Sequence, residues 1–148
     1  MNRLFASAAL LIGLFVALPV QALDYRSLSD AAILYDAPSQ KSTPLFVIAR
    51  QTPVEIVITL DPWVKVRDAS GSLAWIDKRM LSDKRILQVI AARAQIRQSP
   101  DPQAALVFEA AKDVLLELAE TPSGTGWVKV RHRDGQTGYL RTNQVWGL

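Results

Sequence analysis

Residues able to carry enzyme chemistry are few in this chain. His132 is the only histidine, and there is no cysteine. A zinc site needs several ligands at regular spacing, and the carboxylates around His132 show no such spacing. The sequence offers no thiol nucleophile, no serine in a nucleophile elbow, and no phosphate, dinucleotide or calcium loop. We therefore predict no catalytic residue, no metal site and no cofactor, and we expect the protein not to be an enzyme.

A pentapeptide that occurs twice is more informative. The sequence Trp-Val-Lys-Val-Arg spans Trp63–Arg67 and again Trp127–Arg131. In a strand the two valines face one side, while the indole and the two cations face the other. An indole beside cations can stack on a sugar ring and pair with carboxylates. The candidate ligand-binding residues are Trp63, Lys65, Arg67, Trp127, Lys129, Arg131 and Tyr35.

The same pattern has a second interpretation. Aromatic side chains more often pack than bind, so each Trp can instead seal the end of a barrel or the joint between two units. The cations would then simply face water. We favour packing for the rings, and the burial of Trp63 and Trp127 is the observation that decides between the two.

The repeat extends beyond the pentapeptide and predicts two similar units. At the same offset (63 to 127), Gly71 matches Gly135 and Trp75 matches Tyr139. Short β-branched segments separated by Pro and Gly turns predict about five strands per unit, forming a small barrel or roll. We place a lead-in segment at residues 23–30, the first unit at residues 31–85 and the second unit at residues 86–148.

One segment conflicts with this all-β interpretation. Residues 104–120 are rich in Ala, Leu, Glu and Lys, and apolar residues recur there at helical spacing. The equivalent residues 45–59 contain Pro53 and a β-branched run, which disfavour a helix. We therefore predict strands in both copies.

The first residues predict an export signal. Arg3 precedes an apolar run from Leu4 to Leu18, and Pro19 and Ala22 supply the break and the small residue of a cleavage site. An uncleaved anchor is the alternative, but the run is shorter than the ~20 residues that span a bilayer. We predict cleavage after Ala22, a periplasmic or secreted location and no stable membrane anchor in the mature protein.

The charge pattern is mixed. Lys and Arg number 17 against 14 Asp and Glu, and the two signs are interleaved along both halves. The resulting field is too weak to predict binding to nucleic acid. We expect a monomer that has no disulfide.

The ordered segments of residues 31–146 resemble the bacterial SH3-like (Src homology 3-like) domain. Each copy has a strand ending in a polar turn with Pro, then Trp-Val-Lys-Val, a Gly hairpin and an aromatic-aliphatic pair; Gly138–Asn143 is similar to the closing segment. The resemblance implies an exported, all-β protein with two tandem SH3-like barrels or rolls. Eukaryotic relatives line a groove for proline-rich peptides with a Pro and a Tyr, whose positions are here Asp77 and Met80, then Arg141 and Gln144. Recognition of proline-rich ligands is therefore not implied.

Two functions remain open from the sequence. One is a non-catalytic binding module of the cell envelope that contacts peptidoglycan or a wall-associated peptide through the aromatic and cationic side chains. The other is a periplasmic adaptor that binds an envelope protein through strand edges and loops. Both would use the same kinds of surface residue.

Overall fold

The computed structural model describes residues 22–148, which form β-strands and two single-turn 3₁₀ helices. These strands make two seven-stranded antiparallel sheets, one from each half of the described chain, which confirms the predicted all-β tandem fold. The predicted signal peptide lies outside the described residues except for Ala22. Between residues 22 and 148, no helix combines the length and apolarity needed to cross a bilayer.

The first unit contains the strands β1 to β7 and one 3₁₀ turn, Lys78–Met80. Its sheet has the order β3-β2-β6-β5-β4-β1-β7. The strands are β1 (Tyr25–Leu28), β2 (Ala32–Tyr35), β3 (Pro44–Ile48), β4 (Pro53–Leu60), β5 (Trp63–Arg67), β6 (Leu73–Asp77) and β7 (Leu81–Ser82).

The second unit repeats this arrangement strand for strand, with a 3₁₀ turn at Thr142–Gln144. Its sheet has the order β10-β9-β13-β12-β11-β8-β14. The strands are β8 (Ile86–Val89), β9 (Arg93–Arg97), β10 (Leu106–Ala111), β11 (Leu115–Leu118), β12 (Trp127–Arg131), β13 (Thr137–Arg141) and β14 (Val145–Trp146).

Each unit has more strands than the five predicted. The predicted lead-in segment, residues 23–30, contains β1, which pairs with both β4 and β7. Leu28 of β1 is 1 % exposed and belongs to the core of the first unit. The sequence signal was weak because a four-residue strand carries little periodicity, and its pairing partners lie far along the chain.

Residues 104–120 form strands, as the repeat predicted. The strands β10 and β11 pair with β9 and β8, and they are separated by a turn in which Asp113 has a positive φ of 70°. Leu116 of β11 is 1 % exposed and fills the core of the second unit. Cross-strand pairing and burial therefore override the local preference of Ala, Leu and Glu for helix.

Alternation along the repeated pentapeptide places the valines inside. Val64 and Val66 are buried in the first core, and Val128 and Val130 are buried in the second. The two cores are separate clusters, so each unit has a hydrophobic centre of its own. The residues that alternate with these valines along each strand point to the opposite face, where the candidate ligand-binding side chains lie.

The two units touch through an aromatic contact. The rings of Tyr25 and Trp146 meet edge to face with centroids 5.1 Å apart. Arg85, in the connection between the sheets, donates a hydrogen bond to the carbonyl of Gly147 at 2.7 Å and lies 5.9 Å from the Tyr25 ring. Burial raises the pKa of the Tyr25 phenol above its usual value, with a further contribution from the nearby Glu55 carboxylate. This joint is thus built from the start of the first unit, the connection between the sheets and the end of the second unit.

Candidate functional site

Strand pairing in the first unit gathers aromatic residues on the outer face of its sheet. Trp63 lies opposite Asp77, and Trp75 lies opposite both Lys65 and Tyr35. The rings of Tyr35 and Trp63 meet edge to face with centroids 5.7 Å apart. This geometry leaves parts of both half-buried rings open to solvent.

These two rings form one wall of an open groove of about 320 Å³, which we call the first groove. Six of its residues have counterparts that line the equivalent groove of the second unit: Ala31, Ile33, Tyr35, Trp63, Asp77 and Met80. Ala32, Gln40 and Arg79 complete the lining.

The first groove also carries one pair of opposite charges. The carboxylate of Asp77 accepts hydrogen bonds from the Arg79 guanidinium at 2.6 Å and from the Arg79 backbone N–H at 2.9 Å. The hydrogen bonds from the Arg79 side chain and backbone lower the pKa of the Asp77 carboxyl, so it is ionised at neutral pH. The groove therefore presents aromatic surface beside a balanced ion pair.

A groove of about 270 Å³ lies at the equivalent place in the second unit, and we call it the second groove. There Trp127 lies opposite Arg141, as Trp63 lies opposite Asp77. Trp127 is 8 % exposed, and the Arg141 guanidinium covers its ring at 4.2 Å from the centroid. The lining residues are Arg93, Gln95, Arg97, Trp127, Arg141 and Gln144.

The candidate residues of the first unit do not all lie at the first groove. Tyr35 and Trp63 line it together. Lys65 lies beside it, with its ammonium 6.0 Å from the centre of the Trp75 ring. Arg67, at the far end of β5, instead pairs with the largely buried carboxylate of Glu55 at 3.0 Å.

The candidates of the second pentapeptide are also divided. Trp127 lines the second groove but is nearly covered. Lys129 pairs with Glu120 at 2.6 Å, and that hydrogen-bonded ion pair raises the pKa of the Lys129 ammonium. Arg131 lies in a different cleft, next to the joint between the units, together with Lys84.

Several groove residues were not among the candidates from the sequence. They are Asp77, Arg79 and Met80 in the first groove and Arg93, Arg97 and Arg141 in the second. The comparison with the closing segment of SH3-like domains already pointed to Asp77 and Arg141, because those positions line the groove in relatives. No comparable feature of the sequence pointed to Arg93, because its place beside Trp127 depends on pairing between strands that are distant in the sequence.

The remaining candidates for chemistry among the described residues are a metal site and His132. No cluster of three metal-ligating side chains occurs between residues 22 and 148. His132 is half-buried, lies 3.0 Å from a carboxylate oxygen of Asp134, and packs near the Phe108 ring with centroids 5.6 Å apart. These contacts hold His132 in its hairpin turn.

Comparison with solved structures returns proteins that share little sequence with this chain. NlpC2 from Trichomonas vaginalis is 14 % identical, with a TM-score of 0.40, over 86 % of this chain and 49 % of that one. NlpC1 from the same organism is 16 % identical, with a TM-score of 0.39, over 93 % of this chain and 50 % of that one. An NlpC/P60 family protein from Bacillus cereus is 16 % identical, with a TM-score of 0.38, over 83 % and 56 %.

This chain thus spans about half the length of these solved chains. No curated protein sequence is significantly similar to it.

The family comparison is more specific. The profile of the bacterial SH3 domain matches residues 29–83 and again residues 91–147. The two matches cover most of the chain and follow the two sheets of the structure. The chain therefore belongs to the bacterial SH3 domain family, a family of binding domains, and contains two copies of that domain.

Proposed function

We propose that this protein is an exported, non-catalytic binding module of the cell envelope that contacts peptidoglycan or a wall-associated peptide through its first groove. The observation that carries the proposal is the edge-to-face pair of Tyr35 and Trp63 at an open groove. Membership of a family of binding domains supports a role in recognition. The export signal predicted in residues 1–22 supports a location at the envelope.

The groove suits a ligand that has both apolar and polar faces. The exposed parts of the Tyr35 and Trp63 rings offer stacking area for a sugar ring or an aliphatic side chain. Asp77 and Arg79 neutralise each other, yet each has further hydrogen-bonding capacity for amide or hydroxyl groups. Wall glycan and its peptides carry both kinds of surface.

A sedimentation assay with purified peptidoglycan tests this proposal. The wild-type protein should be retained, and Trp63→Ala or Tyr35→Ala should weaken retention about fivefold, by losing stacking energy of roughly 1 kcal/mol. Phe46→Ala is the matched control, because Phe46 is a 36 % exposed aromatic residue of the same unit outside the groove. Wild-type retention no greater than that of an unrelated exported protein would count against wall binding.

The export step has its own test. We propose that the mature protein begins at Leu23 in the periplasm or outside the cell. Mass spectrometry of the protein from cell fractions should find this N-terminus and the mass of residues 23–148. A cytoplasmic protein that retains residues 1–22 would refute export.

A second candidate function, the envelope adaptor, is favoured by a different surface. Within residues 22–148, the strand β3 has a strand neighbour only on its β2 side, and it exposes Leu45 at 48 % and Val47 at 68 %. An edge with free backbone groups and uncharged apolar side chains fits an extended, uncharged polypeptide that adds a strand.

Crosslinking in intact cells tests the adaptor. It should recover a specific polypeptide joined to β3, and Val47→Lys should abolish that product by placing a charge on the edge. Lys41→Arg, a conservative change in the adjacent loop, is the control. Strong wall retention with no crosslinked polypeptide would reject the adaptor and favour the first proposal.

A further inference from the structure

The two grooves have the same architecture but different chemistry. Each of the six second-groove residues occupies the place of a first-groove residue, with Trp127 equivalent to Trp63. The pairing registers support this equivalence, since Tyr35 lies opposite Trp75 and Arg97 lies opposite Tyr139. In order, Arg93, Gln95, Arg97, Arg141 and Gln144 stand where the first groove has Ala31, Ile33, Tyr35, Asp77 and Met80.

At the six shared positions, the substitutions make the second groove more positive than the first. The six shared positions of the first groove contain one acidic residue and no basic one. The same positions in the second groove contain three arginines and no acidic residue. Three guanidinium groups around one groove create a positive potential that attracts an anion.

These arginines are only partly neutralised by other residues. Arg97 donates to the Ala104 carbonyl at 2.8 Å and to the Gln95 amide oxygen, both uncharged acceptors. Arg141 forms no ion pair with any residue between 22 and 148, and its guanidinium stacks on Trp127. Of the three arginines, Arg93 alone has an acidic partner among the described residues, Glu109 at 3.4 Å.

The position of Arg141 over the Trp127 ring also prepares it for a ligand. A guanidinium packed on an indole keeps the N–H groups at its edge free to reach a planar, bidentate acceptor. The Trp127 beneath it is 8 % exposed and therefore positioned by the core. The second groove thus presents a partly preorganised fork beside the more exposed Arg93.

We propose that the second groove is a binding site for a free carboxylate group of a peptide. This inference rests on the proposed function and deepens it, since it assigns the anionic part of the wall or wall-associated peptide to the second unit. Arg97 and Arg141 pair with the carboxylate. Gln95 and Gln144 offer neutral donors and acceptors for the neighbouring peptide amide, a combination that suits a peptide better than a bare phosphate.

A titration with soluble probes tests the proposal without any wall material. The probe is N-acetyl-dialanine with a free carboxylate, and its matched control is the same dipeptide with a C-terminal amide. Binding is followed by the amide and Trp127 indole N–H resonances in two-dimensional NMR spectra of the full-length mature protein. We expect the acid to bind at least about tenfold more tightly than the amide, with shifts confined to the second groove.

Variants locate the site. Arg141→Gln should weaken binding of the acid about tenfold or more, and Arg141→Lys should weaken it too, because lysine keeps the charge but loses the fork. Arg93→Gln should also weaken binding of the acid, by removing positive charge from the groove, and it leaves the core untouched because the Arg93 side chain is 73 % exposed. Arg133→Gln, at an exposed arginine of the same unit outside the groove, should leave the affinity unchanged.

The outcomes separate this inference from the proposed function. Equal affinity for acid and amide, shifts outside the second groove, or inorganic phosphate binding as tightly as the peptide would each overturn the carboxylate site. Carboxylate binding without retention on peptidoglycan would uphold the site and reject wall binding. Retention on peptidoglycan by a protein that ignores the acid would uphold wall binding and reject the site.

Discussion

The clearest prediction compares the same substitution at two equivalent positions. Trp63 and Trp127 begin the same pentapeptide and lie at the same place in their grooves. Trp63 is half-buried, whereas Trp127 is 8 % exposed and covered by Arg141. Trp127→Ala should therefore mainly destabilise its unit, while Trp63→Ala should mainly weaken ligand binding.

The structure gives the expected size of the difference. Truncation of a buried tryptophan to alanine typically costs about 3 to 5 kcal/mol through lost burial and the cavity left behind. Trp127 also loses the guanidinium contact, worth about 0.5 to 1 kcal/mol at an exposed site. Trp63 loses partial burial and one edge-to-face contact, for roughly 2 kcal/mol in all. The free energy of unfolding should therefore fall by at least about 1 kcal/mol more for Trp127→Ala.

The assay must report on each unit separately, because a two-unit chain need not unfold in a single step. Native-state hydrogen exchange at the buried amides of β5 and β12 measures the local stability of each unit. The expected loss of about 3 kcal/mol or more for Trp127→Ala corresponds to a fall in Tm of about 12 °C or more.

Equal losses of stability in the two variants would refute this reasoning, as would a larger loss for Trp63→Ala. Either result would mean that the exposed fraction of the indole does not distinguish packing from binding here. The peptidoglycan assay supplies the other half of the comparison. Trp63→Ala should lose retention at a temperature where its unit is still fully folded.

Three further predictions concern the fold and its ionisation. Hydrogen bonds from Arg79 lower the pKa of the Asp77 carboxyl in the folded protein. The Asp77 carboxylate therefore stabilises the fold above its unfolded pKa of about 3.9, and this stabilisation is lost as the pH falls through the lower folded pKa. In a circular-dichroism series from neutral to acid pH, Asp77→Asn should lack that part of the acid destabilisation. Gly138→Ala should lower the stability of the second unit by roughly 1 to 3 kcal/mol in urea unfolding, because its new Cβ would lie 2.7 Å from the Arg97 carbonyl oxygen. Trp146→Ala removes the aromatic contact between the units, so NMR relaxation should show the two units tumbling more independently than in the wild type.

Each of these predictions has an outcome that contradicts it. An unchanged acid profile in Asp77→Asn would mean that the Asp77 carboxyl does not link pH to stability. A fully stable Gly138→Ala would mean that β9 can move away from β13 at no cost. Unchanged relaxation in Trp146→Ala would mean that the joint is held by Arg85 and its neighbours.

Much of the fold follows from local patterns in the sequence. The duplicated pentapeptide predicts two copies, and alternation predicts the burial of Val64, Val66, Val128 and Val130. The repeat also outweighed the helical composition of residues 104–120, because one copy with a β-branched run constrains the conformation of the other.

The site was less accessible to the same reasoning. The sequence predicted the indole and the cations on the outer face of each unit and treated the two copies as equivalent. The structure separates them: Arg67 turns to Glu55, Arg131 lies near the joint, and arginines from β9 and β13 surround Trp127. These neighbours come from strands that pair across long stretches of chain, and no local period encodes such pairing.

Two related β units with valine cores are predictable from the amino-acid sequence, because those features depend on residue type and on spacing along one strand. The sequence does not predict which strands lie side by side, and these neighbours set the burial of each tryptophan and the charge of each groove. Burial and electrostatic potential at a surface sum over residues adjacent in space, whereas periodicity reports only residues adjacent in sequence.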